Sequence, residues 1–534
     1  MIRALRLLLL ALAAAILAAV GLALATVHPR FFFGTLVGDD AGYYLTIARN
    51  FCTGHGLSFD RLRPTNGFNP LMTLLLIPLD RLFSRGYDLV ACFRIGALVT
   101  WVGVVWGWRS LHGLSARVLE AYAFPGEARP LALAAMAFFY AGFVALKGYY
   151  GMDAFLVLPL GLFYLERVSR HGLLAPGRGP AIIDGALLGA LVLARVDSAP
   201  LALAAFAWML PLARTRRGAT AAFAARLAAF LALVAPYLAW NRIEFGDWLP
   251  ISARLKSSFP RLDLALSMNT VLHTSLNPAD RVVLFVALAA AAAWLVVVAA
   301  RDRRAADQHP GPRQAMAVCA LYVVGRLAWL LSFSRLDVQG SYFVLAHPFV
   351  ALSVFVLAAR LGGSRAALPA GIALVLVTLV LAAGKGFTAI PEMRAVAAGR
   401  GDEWVIGRRL HDAVTDRDVL YGGAYGLIGF VTDRPWVNGD GVANDRAYQD
   451  AIAHGQLSAR LTQQGVTHLV ITITPPHEPG PEPIVQHIMS TLHGVSDTLW
   501  AAPGDIVLRE RMRRNGGTDL WLVRWPRRGT AMGR

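Results

Sequence analysis

The chain has 534 residues, 56% of them hydrophobic and only 16% charged, with a formal net charge of +17. A soluble protein carries about 25% charged residues. Long apolar runs recur here through the first 384 residues, so a soluble globular protein is excluded and a polytopic helical membrane protein is expected. From Lys385 onward, 17 Lys+Arg face 16 Asp+Glu, so the positive excess belongs almost wholly to the membrane half. There Arg clusters flank apolar runs as anchors, and nucleic acid is not an expected partner. Cys52, Cys92 and Cys319 are too widely spaced for a disulfide framework or a zinc site.

Residues 1–27 begin Met-Ile-Arg-Ala-Leu-Arg and stay apolar to Val27. Ala23-Leu24-Ala25 resembles a signal-peptide cleavage site. The run is long enough to span, however, and reads as an uncleaved anchor with Arg3 and Arg6 in the cytoplasm. Residues 28–69 form a polar outer loop containing Gly38-Asp39-Asp40-Ala41-Gly42-Tyr43-Tyr44. A short helix is expected over 41–50, with Asp39 or Asp40 capping its open N–H groups. One carboxylate suffices for a cap, so the second needs another reason.

Residues 70–84 are apolar but short for a crossing, and are expected to be partly inserted or re-entrant. Spans are expected near 89–108, 130–147, 154–169, 181–195, 198–213, 219–240, 281–300, 314–334, 341–361 and 368–384. With the first segment they make about eleven. The basic loops Arg214 to Arg217, Arg301 to Arg304 and Arg360 to Arg365 then share the cytoplasmic side. The stretch 241–280 is a second outer loop, and Arg335 to Tyr342 a short third one. The tail, 385–534, mixes charge of both signs with Gly and Pro. Helices are expected at 402–414 and near 456–464, and strands at Thr467 to Ile473 and Leu520 to Trp525. This alternation predicts an extracytoplasmic α/β domain beside the membrane domain 1–384.

The polar groups expected on the outer side are Asp39 and Asp40, Asp153, Arg195 and Asp197, and Arg254 and Lys256. Ionisable groups near membrane depth are costly and face a cavity or one another. Bland roles exist for several of them. Asp153 has the position of a helix cap, and Arg195 with Asp197 that of a local ion pair. His347 reads as a satisfied interior histidine, and His55, flanked by glycines, as loop packing near the expected site. A carboxylate beside a cationic cluster suits transfer from a lipid-linked phosphate sugar. The carboxylate serves as general base on a hydroxyl, and the cations neutralise the departing phosphate. The rival class is a transporter or flippase, but the charges gather at one face and the halves do not repeat.

The order of these motifs resembles the GT-C superfamily of membrane glycosyltransferases, including mycobacterial arabinofuranosyltransferases and protein mannosyltransferase relatives. The resemblance begins at Asp39-Asp40-Ala41 and runs through Gly54-His55-Gly56-Leu57 and Asn66-Gly67-Phe68-Asn69-Pro70. It continues at Gly151-Met152-Asp153, Ala194-Arg195-Val196-Asp197 and Phe245-Gly246-Asp247-Trp248-Leu249-Pro250 with Lys256. In the tail it touches Gly426 to Phe430 and Asn438-Gly439-Asp440-Gly441. The chain departs from the pattern at Val196, where proline is usual, at Ile251-Ser252, and at Ser341 before Tyr342-Phe343.

The resemblance implies a multi-pass protein of the plasma (inner) membrane. It implies a polyprenyl-phosphate sugar donor, an envelope glycan, lipid or protein acceptor, and inverting transfer on the outer face. Carried over, Asp39 is the first choice for base and Asp40 positions the acceptor. Arg254 and Lys256 hold the donor phosphate, and Asp153, Arg195, Asp197 and His55 shape the cavity. Some relatives use a divalent metal; no ligand cluster is evident here, and no cofactor is expected.

Overall fold

In the computed structural model, twenty-five residues from Ile2 to Thr26 form the first helix, α1. The structure describes residues 2–33, 35–174, 177–215, 219–271, 285–286, 288–293, 310–335, 340–397, 402–423, 425–473, 484–490, 494–512 and 518–525. Leu9, Ala13, Leu17, Val20 and Leu24 are buried, a stripe at three- and four-residue spacing that packs α1 into the bundle. Its far end meets the start of α4 (Leu89–Ala121), where Arg94 donates to the Thr26 carbonyl at 3.3 Å. Seven residues of α4 later, Trp101 donates to Leu17 O at 2.9 Å, so the two helices run antiparallel.

Between them lie α2 (Ala41–Cys52) and α3 (Pro70–Phe83). Both ends of α3 meet α2 of the first loop: Asn69, before it, donates to the Tyr44 hydroxyl at 3.2 Å, and Arg81, near its end, lies over the Phe51 ring. Fourteen residues span about 21 Å, short of the roughly 30 Å hydrocarbon core. The helix is thus shorter than a full crossing requires.

The bundle continues with α5 (Arg129–Lys147), α6 (Ala154–His171), α7 (Arg178–Ala194), α8 (Ala199–Thr215) and α9 (Ala219–Phe245). The apolar run 181–213 is not one helix. It breaks at Arg195, whose backbone is extended, and at a single 3-10 turn, Val196–Ser198. Short helices α10 (Ile251–Lys256) and α11 (Leu264–Asn269) lie in the next loop, followed by α12 (Pro310–Phe333). The expected span 281–300 and its basic loop lie mostly outside the described residues.

Helical backbone then runs from Ala346 to Ala397, α13. It cannot be straight. A Cβ on Gly371 would lie 3.6 Å from Phe355, whereas sixteen residues of straight helix cover about 24 Å. His347 stacks 4.5 Å from Phe143, and a Cβ on neighbouring Gly142 would touch Thr378. The run therefore doubles back as two antiparallel arms, matching the two expected spans 341–361 and 368–384. The proposed domain boundary at 384 falls within its second arm.

Among the described residues, six helices are long and apolar enough to cross a membrane, and two shorter apolar ones are the arms of α13. The chain is a multi-pass membrane protein.

The tail holds α14 (Glu403–Ala413), α15 (Gly426–Thr432), α16 (Arg446–Ala453) and α17 (Leu457–Gln463). Its five-stranded sheet has the order β2-β1-β3-β7-β6, with β1 (Leu420–Gly422), β2 (Trp436–Asn438), β3 (His468–Ile473), β6 (Ile506–Met512) and β7 (Thr518–Arg524). β1 pairs in parallel with β2 and β3, joined through α15 and through α16–α17; β7 and β6 add antiparallel strands. A separate hairpin pairs β4 (Ile484–Ser490) with β5 (Gly494–Ala501). The expected α/β domain is present.

The carboxyl ends of parallel β1 and β2 face the first loop. A Cβ on Gly42 would stand 2.0 Å from the Gly426 carbonyl carbon, and one on Gly67 1.8 Å from Val442 O. Only glycine allows so close an approach of two backbones. Asp433, at the C-terminus of α15, accepts from the guanidinium groups of both Arg49 and Arg61. Burial alone would raise its pKa, but the hydrogen bond from Arg49 and the two positive charges outweigh burial and lower it.

Candidate active site

The adjacent carboxylates at the start of α2 do different things. Asp39 reaches the tail: its two oxygens accept the N–H groups of Gly426 at 2.9 Å and Leu427 at 3.0 Å. It thus caps α15 from another part of the chain, satisfying donors that helix geometry leaves open. Asp40 occupies the N-cap position of α2 itself, yet its backbone is helical and its side chain makes no cap bond. Neither expected capping arrangement for α2 is present, because Asp39 is committed elsewhere. Asp40 is half-buried and, among the described residues, its carboxylate has no hydrogen-bond or ion-pair partner.

The next turn fixes both sides of the site. Tyr43 faces the tail, donating to Asp440 Oδ2 at 3.2 Å and accepting from Asn438 Nδ2 at 3.0 Å. Tyr44 faces the bundle, donating to Asp153 Oδ2 at 2.8 Å. Asp153, only 2% exposed, also accepts from Asn69 at 2.5 Å and from Arg195 Nη1 at 3.1 Å. Arg195 reaches on to Asp197 with Nε at 3.0 Å and Nη2 at 3.2 Å. Arg326 completes the chain, donating to the Asp197 carboxylate at 2.5 Å and to its carbonyl at 3.0 Å. Both guanidinium groups lie over the Tyr342 ring, at 4.8 and 5.0 Å. Two carboxylates and two guanidiniums balance in charge, and each holds the others in place. A largely buried set of this kind persists because each charge has an opposite one beside it.

The side chain of Lys256, half-buried on α10, has no hydrogen bond or ion pair among the described residues. Tyr342 most, then Asp40 and Asp153, raise its pKa above the usual lysine value, against burial and Arg195, which lower it. The ammonium stays charged and shares one electrostatic environment with Asp40. Arg254, two residues earlier, projects from nearly the opposite side of the helix. It is exposed and held by Asp247 of the same loop.

Of the residues singled out from sequence, the structure gathers Asp40, Asp153, Arg195, Asp197 and Lys256. Asp39 lies beside them but is tied to the tail. Arg254 is turned away onto Asp247. His55 is exposed past the far end of α2, a twelve-residue helix about 18 Å long, where Arg49 and Arg61 cluster. His347 is buried with Nδ1 2.8 Å from Phe343 O, as an interior histidine would be. Sequence reading missed Arg326, Tyr342, Asn69 and Asp440. The signal for Arg326 was present, a lone charge inside the apolar run 314–334. Among the described residues, no three His, Cys, Asp or Glu side chains converge as a metal site.

No family model matches the chain, and no curated protein matches it. Solved structures do. The archaeal oligosaccharyltransferase AglB from Archaeoglobus fulgidus, in complex with an inhibitory peptide and a dolichol-phosphate, matches at a TM-score of 0.51. Its identity is 13%, over 87% of this chain and 69% of that one. ArnT from Cupriavidus metallidurans bound to undecaprenyl phosphate aligns over 95% of this chain and 97% of its own, at 14% identity and a TM-score of 0.47. At such identities the likeness is one of fold, and the archaeal structure carries it. The chain shares that fold and has the expected architecture, a polytopic helical membrane domain joined to a C-terminal α/β domain.

Proposed function

We propose that this protein is a glycosyltransferase that moves a sugar from a polyprenyl-phosphate donor to a hydroxyl of a cell-envelope acceptor. The observation that carries the reading is the pair Asp40 and Lys256. Both are left without a direct side-chain partner among the described residues, beside a lattice in which Asp153, Arg195, Asp197 and Arg326 are ion-paired with one another. The fold likeness to an oligosaccharyltransferase bound to a dolichol-phosphate supports it.

In this mechanism Asp40 takes the proton from the acceptor hydroxyl as its oxygen attacks the anomeric carbon. The bond from that carbon to the phosphate oxygen breaks on the opposite side, which inverts the centre. Lys256 meets the charge of the departing polyprenyl phosphate. The paired lattice keeps the wall of the site rigid, and Asp39 holds the tail domain against it. The base is thus Asp40 rather than Asp39, and Lys256 rather than Arg254 carries the phosphate. The site face is the outer one, with the N-terminus cytoplasmic, the tail extracytoplasmic and eleven spans in the plasma membrane. The reaction needs no metal. Activity abolished by a chelator and restored by one divalent ion would end that part of the reading.

The test is transfer of labelled pentose or hexose from polyprenyl-phosphate donors by the reconstituted protein. Asp40→Asn should lower turnover about a hundredfold or more, the scale of a lost general base. Wild-type protein that transfers from none of these donors would overturn the proposal.

A further inference from the structure

Resting on the transferase reading, we propose that Asp440, brought to the site by the tail domain, binds the hydroxyl groups of a neutral sugar in the acceptor. Asp440 lies in Asn438-Gly439-Asp440-Gly441, at the carboxyl end of β2. Ligands of open parallel sheets are commonly bound just beyond the carboxyl ends of the strands. The loop is built to hold this one side chain. Gly441 has φ +79°, and a Cβ there would fall 1.9 Å from Gln449 Nε2. Asp440 Oδ1 accepts from Val442 N at 3.0 Å, and Oδ2 from the Tyr43 hydroxyl at 3.2 Å.

Tyr43 is 6% exposed, whereas the carboxylate it holds is open. A carboxylate offers about four acceptor positions, so two remain directed outward. No ion pair occupies them among the described residues. Docking of the tail does not rest on Asp440 alone: Asp39 and Asp433 also tie the tail to the first loop, and Asp440 gives that contact only the one bond from Tyr43. Tyr43, which holds Asp440, stands three residues after Asp40 on the first turn of α2, so both carboxylates lie at that end of the helix, and the Lys256 charge is felt by both. Vicinal hydroxyls suit such a pair. An anionic sugar is repelled by two like charges.

The experiment titrates the reconstituted protein with methyl glycosides of mannose, glucose and arabinofuranose, and with methyl glucuronide, by saturation-transfer NMR. Neutral glycosides should bind and the glucuronide should not. Asp440→Asn should weaken binding about tenfold or more, the scale of hydrogen bonds to a charged group. Asp440→Glu, which keeps the charge but moves it by one methylene, should recover part of the loss. Asp416→Asn, which alters an exposed ion pair elsewhere in the tail, should match wild type. Asp440→Asn binding as wild type does, or wild type binding none of the neutral glycosides, overturns the inference. Transfer distinguishes this failure from that of the parent reading. Glycosides bound through Asp440 without transfer from any donor would end the transferase reading alone. Transfer by Asp440→Asn at an unchanged acceptor KM would end only this inference.

Discussion

Asp39→Ala separates the two adjacent aspartates. It deletes the carboxylate that accepts from Gly426 and Leu427, and Leu427 is fully buried. Loss of a helix cap costs about 1 kcal/mol, and stranding a buried donor about 1–3 kcal/mol. Because Asp39 is itself half-buried, water can reach part of the gap. An opening cost lowered by about 2 kcal/mol follows, or roughly thirtyfold faster local exchange. The assay is amide hydrogen exchange over 426–432 in lipid nanodiscs, read beside turnover. Asp39→Ala should speed exchange in α15 and lower turnover only as far as the tail loosens. Asp40→Asn should leave exchange unchanged and remove turnover. The reasoning fails if Asp39→Asn abolishes turnover with α15 exchange unaltered, for then Asp39 is the base.

Lys256→Gln should raise the donor KM at least tenfold, whereas Arg254→Ala should change it less than twofold, because Arg254 serves Asp247. Equal effects would remove Lys256 from the phosphate role. Arg195→Met should destabilise the protein by about 3–5 kcal/mol by leaving Asp153 without its cation, seen as a large fall in melting temperature. Arg326→Met, which leaves Asp197 still paired to Arg195, should cost less. Asp80 is fully buried and, among the described residues, neither of its oxygens is hydrogen-bonded. Burial pushes its carboxyl up to about 7, with Cys92 and Arg49 offsetting only part. The unfolded carboxyl titrates near 3.9, so its stabilising contribution is complete below about pH 4 and declines as pH rises toward 7. Asp80→Asn should therefore raise the melting temperature at about pH 8 and not at about pH 4; equal shifts at both would refute this. Asp433 has the opposite sign. Its pKa is depressed, so the Arg49 and Arg61 tie is intact above the ordinary carboxylate value and is lost only as pH falls through the lower, folded one. Asp433→Asn should remove that acid dependence, measured as exchange of α15 against pH.

Most helices and two of the tail strands, at 467–473 and 520–525, were legible because their signals are local. Apolar run length selects a span, and the short run 70–84 is too short whatever surrounds it. The helix over 41–50, the tail helices at 402–414 and 456–464 and the strand at 467–473 likewise follow from pattern and punctuation close in sequence. The two arms of α13 were also legible as two separate apolar runs, 341–361 and 368–384.

The roles of the polar residues were not local. Sequence placed Asp39 and Asp40 at the site but could not order them, since neighbours in sequence project in different directions. Which one keeps a free carboxylate depends on where residues 426 and 427 arrive, almost 400 residues later. Arg254 and Lys256 are separated by the same rule on one short helix. What the sequence by itself determined is the helical membrane body, the mixed helix-and-strand tail and the polar residues that interrupt the apolar runs, because hydrophobic periodicity and charge are properties of short windows. Only the tertiary structure decided which ionised groups cancel and which stay open. That choice rests on distances of about 3 Å between segments hundreds of residues apart, and a carboxylate committed to a buried N–H or guanidinium has little left for a substrate.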